Sequence, residues 1–266
     1  MNQDIGQPIA LGRTAEIYAW GNGQILKLFF DWFELENIEF EQRMNRAVHA
    51  SGLPVPAPGE MLQVNGRNGL VYERVDGKNM WETLQRHPGR LFAFARQTAD
   101  LHAEMHANAT RPDIPLQRRR LENKLHYADR LPAALKQATL AALAALPDGG
   151  SICHGDFHPA NILLTPARTV IIDWIDASLG NPLADVARTS IIALGAASSS
   201  QVPNAALKLG LRLFNALYLR RYFQLRPGGE EEYRRWLPIV AAARLNENMP
   251  ELETWLVETA RKGLRS

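Results

Sequence analysis

The sequence predicts an α+β protein with a β-rich front part and a mainly helical back part. Short runs of strand-like composition separated by turns fill most of residues 1–75. Helical periodicity dominates residues 76–266, and it is interrupted by one polar-ended hairpin within residues 154–173. We therefore expect two lobes, residues 1–75 and 76–266, joined by a hinge near Glu73 to Gly77.

The front part is expected to contain five strands and one helix. The helix is predicted over residues 34–50, where apolar residues recur at helical spacing, and prolines at positions 54 and 56 end it. A tight turn at 21–23 separates two of the strands. The strands are predicted at Pro8 to Leu11, Glu16 to Trp20, Gln24 to Phe30, Glu60 to Val64 and Leu70 to Val75.

The back part is expected to be built from helices. The predicted positions are 80–86, 89–107, 118–130 and 132–146, then one helix opening at Pro182 and three more between Pro203 and Arg265. Arg118-Arg119-Arg120 is a dense basic run. We interpret it as a solvated helix start, because a nucleic-acid footprint needs a broader basic patch.

Composition limits the class of protein. A chain of 266 residues with 46% hydrophobic and 22% charged residues can bury a sizeable core. The one cysteine, Cys153, excludes an intramolecular disulfide, suits a reducing compartment and is expected to be an inert core thiol. The first ten residues lack a secretory signal, and no segment approaches the roughly 20 apolar residues of a membrane span. We expect a soluble, cytoplasmic protein with no membrane or nucleic-acid partner.

The hairpin brings polar side chains together at one end. Two apolar runs flank a turn at residues 165–168, so Leu164 should face Thr169 and Asn161 should face Ile172. Asn161 and Asp173 then lie at the same end of the hairpin, and Asp156 lies in the loop just before it. Carboxylate and amide oxygens of this kind suit Mg²⁺ and a phosphoryl group.

The motif around the hairpin resembles a known family. Residues 154–161 read His-Gly-Asp-x-His-x-x-Asn, and Ile-Asp-Trp follows at 172–174. Asp156 and Asn161 have the spacing of the catalytic Asp and the metal-binding Asn of protein kinases. The stretch is similar to that of the aminoglycoside phosphotransferase-like small-molecule kinases, which are related to choline and homoserine kinases. The resemblance covers about residues 8–190 and implies a two-lobed protein-kinase-like fold, with a small β-rich N-lobe and a larger helical C-lobe.

The resemblance assigns roles around the hairpin. It implies that Asp156 is the catalytic base and that Asn161 and Asp173 bind Mg²⁺ on the phosphates of ATP. His158 has two interpretations, a contact to the γ-phosphate or a brace for the loop. His154 is expected to organise the loop by hydrogen bonds.

A nucleotide site is expected in the front part. Lys27 lies in an apolar strand and must reach solvent or a counter-charge. The next helix offers Glu39 and Glu41, and the resemblance selects Glu41. It also places Gly12 and Thr14 in a loop covering the phosphates. The resemblance further implies that the main chain of Glu73 and Val75 binds adenine.

Two further carboxylates are expected to be structural. Asp185 follows Pro182 near a helix start, where an anion is stabilised and can hold backbone amides. Asp176 is predicted to be an exposed loop carboxylate, with a place on the substrate side as the alternative.

The sequence thus predicts transfer of the γ-phosphate of ATP to a hydroxyl of a small molecule. The rival hypotheses are a nucleotide-binding sensor without catalysis and a metal-dependent hydrolase. The hydrolase would use His154, Asp156, His158 and Asp173 as ligands, but Gly155 and Pro159 disfavour the regular strand it needs.

The acceptor is expected to be a small molecule and not a protein. Only 11 residues separate Asp173 from Asp185, too few for a long activation segment. Residues 200–266 hold 11 basic and 7 acidic side chains, which favours a neutral, monocationic or anionic acceptor over a polycation, although Glu230-Glu231-Glu232 could reverse this. The oligomeric state stays open.

Overall fold

The computed structural model describes residues 5–21, 23–202 and 204–264, so Asn22 in the predicted turn and Pro203 lie outside the described residues. The chain divides by its internal contacts into two compact units. The first unit comprises the described residues up to Met80 together with Ala160–Ile175. The second unit comprises Trp81–Pro159 and the described residues from Asp176 onward.

The described residues form ten strands and nine α-helices. The strands are β1 (Ala10–Leu11), β2 (Ala15–Trp20), β3 (Gln24–Phe29), β4 (Pro58–Val64), β5 (Arg67–Glu73), β6 (Lys78–Asn79), β7 (Ser151–Cys153), β8 (Ile162–Leu164), β9 (Thr169–Ile171) and β10 (Ser178–Gly180). The helices are α1 (Leu35–Ala50), α2 (Met80–Arg86), α3 (Leu91–Ala107), α4 (Gln117–His126), α5 (Ala133–Ala144), α6 (Pro182–Ser198), α7 (Ala205–Leu225), α8 (Glu230–Arg244) and α9 (Pro250–Gly263).

The first unit is built on a five-stranded sheet. Its strand order is β1-β2-β3-β5-β4, with antiparallel pairing throughout. The five predicted front strands and the helix are therefore confirmed, with shifted ends. β5 begins three residues earlier than predicted, because Asn65 and Gly66 adopt left-handed φ angles of 51° and 83° and close a tight turn between β4 and β5.

The two faces of this sheet carry different residues. Leu26 and Leu28 of β3 belong to a buried cluster with Tyr18, Val64 and Val71. Phe29, on the opposite face, belongs to a second cluster that includes Ile38 of α1. Because side chains alternate along a strand, Lys27 shares the face of Phe29 and points towards the side covered by α1.

The predicted hairpin is the centre of a second sheet in the first unit. β8 pairs with β9 in the predicted register, with Leu164 opposite Thr169. The amide of Ile172 donates to the carbonyl of Asn161 across 3.0 Å, so the ends of the hairpin meet as expected. β6 adds a third strand next to β8. The sequence did not predict β6, which is two residues long and forms only by pairing with a distant segment.

The second unit is mainly helical. The predicted helices are present, including the three after residue 200, and the principal packing pairs are α3 with α7, α6 with α7 and α8, and α8 with α9. Among its fully buried large side chains are Tyr218, Tyr222 and Trp236. β7 and β10 form a short antiparallel ladder, of which β10 was not predicted. No helix among the described residues has the length and apolar character required to cross a membrane.

The three arginines at the start of α4 were predicted to be solvated, and the structure differs from this prediction. Only Arg119 of the three arginines is exposed. Arg118 pairs with Asp148 at 2.6 Å and donates to the carbonyl oxygens of Leu143 and Leu146 near the end of α5. The expectation of a solvated run is therefore wrong for Arg118 and Arg120, because both side chains join separate segments of the second unit.

Candidate active site

Helix α6 holds the loop that carries Asp156. Asp185, Arg188 and Thr189 lie three and four residues apart, so their side chains share one face of the helix. The Oδ2 and Oδ1 atoms of Asp185 accept from the amides of His154 and Gly155 at 2.6 and 2.8 Å. Arg188 Nε donates to the Gly155 carbonyl at 3.0 Å, and Thr189 Oγ1 donates to the Phe157 carbonyl at 2.8 Å. The loop is thus fixed through the backbone of His154, Gly155 and Phe157, on both sides of Asp156.

Two buried histidines complete the environment of Asp185. The Nε2 atoms of His102 and His106 lie 3.0 and 3.4 Å from Asp185 Oδ2, and their Nδ1 atoms lie 2.6 and 2.8 Å from the hydroxyls of Tyr218 and Tyr222. Each neutral ring can accept from a tyrosine hydroxyl and donate to the carboxylate. Burial lowers the pKa of His106 to about 3.

Asp185 itself stays ionised. Burial alone would raise its pKa, but the hydrogen bonds from His102 and His106 hold that pKa well below its ordinary value. The carboxylate is completely buried and accepts four hydrogen bonds, two from backbone amides and two from rings. A buried charge with this many donors is compensated, and it serves as a brace for the loop.

Asp156 is the carboxylate that this brace presents. Arg188 Nη2 lies 2.9 Å from its Oδ1 atom, and His158 Nε2 lies 3.3 Å from its Oδ2 atom. The amide of Asp156 donates to His154 Nδ1 at 3.2 Å. Burial acts to raise the pKa of Asp156, but the His158 hydrogen bond and the Arg188 charge hold it well below its ordinary value. The group is therefore an anion at neutral pH, able to accept a hydrogen bond or a proton.

Gly155 is required by the geometry of the loop. Its φ angle is +79°, in the region that side chains disfavour, and a Cβ atom there would lie 2.5 Å from the Asp176 carbonyl oxygen. The positive φ interrupts any strand through the loop. His154 and His158 are both engaged in the contacts described around Asp156. His158 contacts the Asp156 carboxylate, and both interpretations of its role stay predictions.

Asn161 and Asp173 lie at the end of the hairpin in the first unit. The Ile172 amide bonds to the Asn161 carbonyl, which sets the residue after it, Asp173, beside the start of β8. Asp173 has a φ of +68°, a left-handed conformation that costs energy for a residue with a side chain and is often found at functional sites. One amide and one carboxylate oxygen are hard donors, and they fit the one or two protein ligands that Mg²⁺ commonly takes.

Lys27 is paired with Glu41. Its Nζ atom lies 2.7 and 2.9 Å from the two carboxylate oxygens of Glu41, which is buried in α1. Tyr72 of β5 also donates to Glu41 Oε1 at 3.1 Å. Burial and the Glu41 charge raise the pKa of Tyr72 well above its ordinary value, so its hydroxyl remains a donor. Glu39 is exposed, and Glu41 is therefore the partner of Lys27.

The other nucleotide-side candidates lie around the five-stranded sheet. Gly12 and Thr14 are in the connection between β1 and β2; the Gly12 amide donates to the Ala15 carbonyl, and the Thr14 carbonyl accepts from the Phe30 amide. Glu73 ends β5, and its carboxylate pairs with Arg168. The Val75 carbonyl accepts from the Gly77 amide.

Asp176 differs from its prediction. It is about a quarter exposed and lies 2.6 Å from Arg120 Nη2 and 3.1 Å from Lys124 Nζ, so it is not a free loop carboxylate. Burial would raise its pKa, but the charges of Lys124 and Arg120 lower it. It lines a cavity of about 50 Å³ in the second unit, and its place on the substrate side stays a prediction.

Sequence reasoning missed the arginines around this cavity. Arg188 and Arg244 both line it, and both contact Glu247. A signal for Arg188 exists in the sequence, because it is the single cation within the apolar run from Leu183 to Leu194 and it follows Asp185 by three residues. No comparable pattern marks Arg244, whose role arises from packing between helices.

The structure gives no support to the metal-hydrolase hypothesis. Within the part of the chain that the structure describes, the group of three or more metal-type side chains close enough to share an ion is His102, His106 and Asp185. Their ligand atoms already hydrogen-bond to one another or to tyrosines. His154, Asp156 and His158 do not form such a group.

The chain matches the model of a known protein family. The model of the phosphotransferase enzyme family matches residues 6–236, which is most of the chain. The chain belongs to this family. No curated protein is a significant match.

Solved structures of this family share the fold. A choline/ethanolamine kinase family protein from Mesorhizobium loti is 18% identical with a TM-score of 0.59, covering 98% of this chain and 88% of its own. A thermostable mutant of an aminoglycoside phosphotransferase, in a ternary complex with ADP and hygromycin B, is 15% identical with a TM-score of 0.65, covering 97% and 92%. An amicoumacin kinase in complex with AMP-PNP is 16% identical with a TM-score of 0.62, covering 97% and 87%. The predicted α+β, protein-kinase-like fold is confirmed.

Proposed function

We propose that this phosphotransferase family member is an ATP- and Mg²⁺-dependent kinase that phosphorylates a hydroxyl group of a small molecule. The observation that carries the proposal is the ionised carboxylate of Asp156, presented on a loop whose backbone α6 fixes through Asp185, Arg188 and Thr189. Phosphoryl transfer leaves the protein little covalent chemistry, so a rigidly placed carboxylate is a large part of what it must supply.

In this proposal Asp156 orients the acceptor hydroxyl and accepts its proton as the oxygen attacks the γ-phosphorus. The bond from that phosphorus to the bridging oxygen breaks, and ADP leaves. The low pKa of Asp156 makes it a weak base, which suits a transition state in which the hydroxyl proton moves late. Orientation is then its larger contribution.

The nucleotide would be held by the first unit. Lys27, fixed by Glu41, would contact the phosphates as a point charge, and Gly12 and Thr14 would cover them. Glu73 and Val75 would supply main-chain bonds to adenine. Asn161 and Asp173 would hold Mg²⁺, which neutralises charge on the phosphates when bound. The ADP and AMP-PNP bound in two of the solved neighbours support ATP as the phosphoryl donor.

The test is a transfer assay on the purified protein with Mg·ATP. The panel contains aminoglycosides, choline-like amino alcohols, sugars, nucleosides and homoserine-like amino acids. We expect ADP release that depends on one acceptor class, and a phosphorylated product visible by mass spectrometry. Asp156→Asn is the inactive comparison. ATP binding with no transfer to any acceptor would contradict the proposal and favour a nucleotide-binding sensor.

A further inference from the structure

The second unit contains a cavity whose lining includes four basic side chains. It has a volume of about 50 Å³ and is lined by residues of α4, α6 and α8 together with Gly155, Asp176 and Glu247. Its cations are Arg120, Lys124, Arg188 and Arg244, and we call it the basic cavity. A space of this size is large enough for a small polar group of a ligand.

The basic cavity adjoins the candidate base. Arg188 lines it and at the same time contacts Oδ1 of Asp156 at 2.9 Å, and Gly155, next to Asp156 in the chain, is also part of the lining. A group bound in the cavity would therefore lie one guanidinium away from the carboxylate that orients the acceptor hydroxyl. That is the place for a second functional group of the acceptor.

Two of the three carboxylates that line the cavity are each held by two cations, and the third, Asp185, accepts from backbone amides and histidine rings. Asp176 pairs with Arg120 and Lys124 at 2.6 and 3.1 Å. Glu247 pairs with Arg188 and Arg244 at 2.6 and 3.2 Å. An ammonium group would have to displace a cation from one of these carboxylates and would then sit among the remaining positive charges.

An anionic group, in contrast to an ammonium group, would not have to displace a cation of the cavity. The lining holds four cations and three carboxylates, Asp176, Asp185 and Glu247, and Arg188 also pairs with Asp156, so the charges nearly balance and what an anion can use is the unoccupied donors. Lys124 is a quarter exposed and carries three N–H donors, of which the bond to Asp176 uses one. Arg244 directs Nη2 to the sulfur of Met249 at 3.9 Å, a weak acceptor that an oxyanion would replace with gain.

We propose that the basic cavity binds an anionic group of the acceptor, a carboxylate or a phosphate ester, and so selects hydroxy acids over amino alcohols. This inference rests on the proposed kinase function and names its substrate class. Lys124 and Arg244 bind the anion, and Asp176 occupies part of the same donor set when the acceptor is absent. Among the acceptor classes that the sequence left open, the proposal favours the anionic one over the neutral and monocationic ones.

The first experiment compares acceptors that differ only in charge. Hydroxypropanoate, propanediol and aminopropanol present the same three-carbon hydroxyl chain with an anionic, a neutral and a cationic end, and glycerol phosphate tests the phosphate ester. We expect kcat/KM for an anionic acceptor to exceed that of its neutral partner by about 10-fold, equal to about 1.4 kcal/mol. Preference for aminopropanol would overturn this inference and leave the kinase proposal standing.

Two variants give effects of opposite sign. Lys124→Met should raise KM for the anionic acceptor about 10-fold and leave KM for ATP unchanged. Asp176→Asn should lower KM for the same acceptor, because it releases Arg120 and Lys124 from a competing carboxylate. If Asp176 instead bound a cationic acceptor, Asp176→Asn would raise its KM. The control is Lys262→Met, since Lys262 is 80% exposed on α9.

A binding measurement keeps the inference testable without turnover. Hydroxypropanoate and inorganic phosphate are titrated separately at low ionic strength, and the melting temperature is followed in wild type, Lys124→Met and Lys262→Met. We expect stabilisation that Lys124→Met reduces and Lys262→Met retains. Such binding with no phosphorylated product would count against the kinase proposal alone. No stabilisation by either anion, or the same stabilisation in Lys124→Met, would overturn the anion site.

Discussion

Arg188 Nη2 lies 2.9 Å from Oδ1 of Asp156 and joins the candidate base directly to α6. The same guanidinium donates to the Gly155 carbonyl at 3.0 Å and contacts Glu247 at 2.6 Å. One buried side chain therefore fixes the backbone of the loop, the orientation of its carboxylate and the charge beside it. The acid–base behaviour of Asp156 depends on Arg188 for this reason.

Replacing the charge of Arg188 should move the acidic limb of the pH profile. In Arg188→Met the carboxylate remains in its partly buried site without its cation, so the pKa of Asp156 should rise. Since Asp156 must be ionised to act, kcat/KM should fall at a higher pH than in wild type. The measurement is kcat/KM against pH for the acceptor.

Arg188→Lys separates charge from geometry. It keeps a cation but loses the planar donors that reach Gly155 and Glu247, so the acidic limb should stay in place while kcat falls. Arg119→Met, at the exposed arginine of α4, is the matched control. An unmoved acidic limb in Arg188→Met would show that Arg188 does not set the ionisation of Asp156.

Asp156→Asn should remove the base and retain most of the hydrogen bonding. We expect kcat to fall on the order of 10²–10⁴-fold, with ADP affinity nearly unchanged, because the nucleotide is assigned to the first unit. Initial rates and ADP titration calorimetry measure the two quantities. Asp148→Asn, on an exposed aspartate, should be neutral. Turnover near the wild-type rate would remove Asp156 from this role.

The sequence predicted the helices and strands whose residues carry a local pattern of apolar and turn residues. The five front strands and the register of the hairpin follow from alternation and turn residues, and α1 follows from its apolar stripe. β6 and β10 could not be predicted, because two or three residues become a strand only when a distant strand pairs with them. Tertiary context decides such pieces.

The residues of the candidate site also fall into those that local sequence patterns predicted and those that they missed. Asp156, Asn161 and Asp173 were predicted because they are close in sequence, and Lys27 because a cation in an apolar strand needs a partner. Arg120 and Lys124 were missed as ligands of Asp176, since 52 to 56 residues separate them in the chain. Asp176 was therefore expected to be a free carboxylate, whereas in the structure it is paired with both cations. Pairings over such distances have no pattern in a single sequence.

Asp173→Ala should impair Mg²⁺ binding. Asn161 supplies only a neutral oxygen, so the variant loses the charged ligand of the proposed pair. Calorimetric titration of ATP with and without Mg²⁺ should show a metal-dependent gain in affinity in wild type that is lost in Asp173→Ala. Asp148→Ala should retain this gain. The same metal dependence in Asp173→Ala and wild type would contradict the assignment.

Lys27 and Glu41 should behave as a coupled pair. Lys27→Ala should lower kcat/KM for ATP, and Glu41→Ala should do so more mildly, because the lysine then loses its anchor in α1. The double variant should lose less than the sum of the single losses. Glu39→Ala, at the exposed glutamate of the same helix, should have no effect and no coupling. Strict additivity of the Lys27 and Glu41 effects would show that the pair does not act on the nucleotide as a unit.

His106 should make the stability of the second unit depend on pH. Burial lowers its pKa in the folded protein to about 3, whereas the exposed side chain of the unfolded chain titrates near its ordinary value of 6.5. Between these two values the unfolded state binds a proton that the folded state does not. The free energy of unfolding should therefore fall as the pH falls below about 6.5, by up to about 1.4 kcal/mol per pH unit.

Urea unfolding at pH 7.5 and pH 5 measures this effect before the carboxylates titrate. From the slope above, wild type should lose about 2 kcal/mol over that interval through His106. His106→Gln should be less stable at both values, because the bonds to Asp185 and Tyr222 change, but its pH-dependent loss should be smaller by that amount. His87→Gln, at an exposed histidine, should retain the wild-type loss. The titration of Asp185 does not contribute to the change in stability between pH 7.5 and pH 5. Its pKa in the folded protein is lowered well below 3.8, so the stability that its carboxylate contributes is complete above pH 3.8 and is lost only in stronger acid. An undiminished loss in His106→Gln would show that this ring is not held neutral by its burial against Asp185.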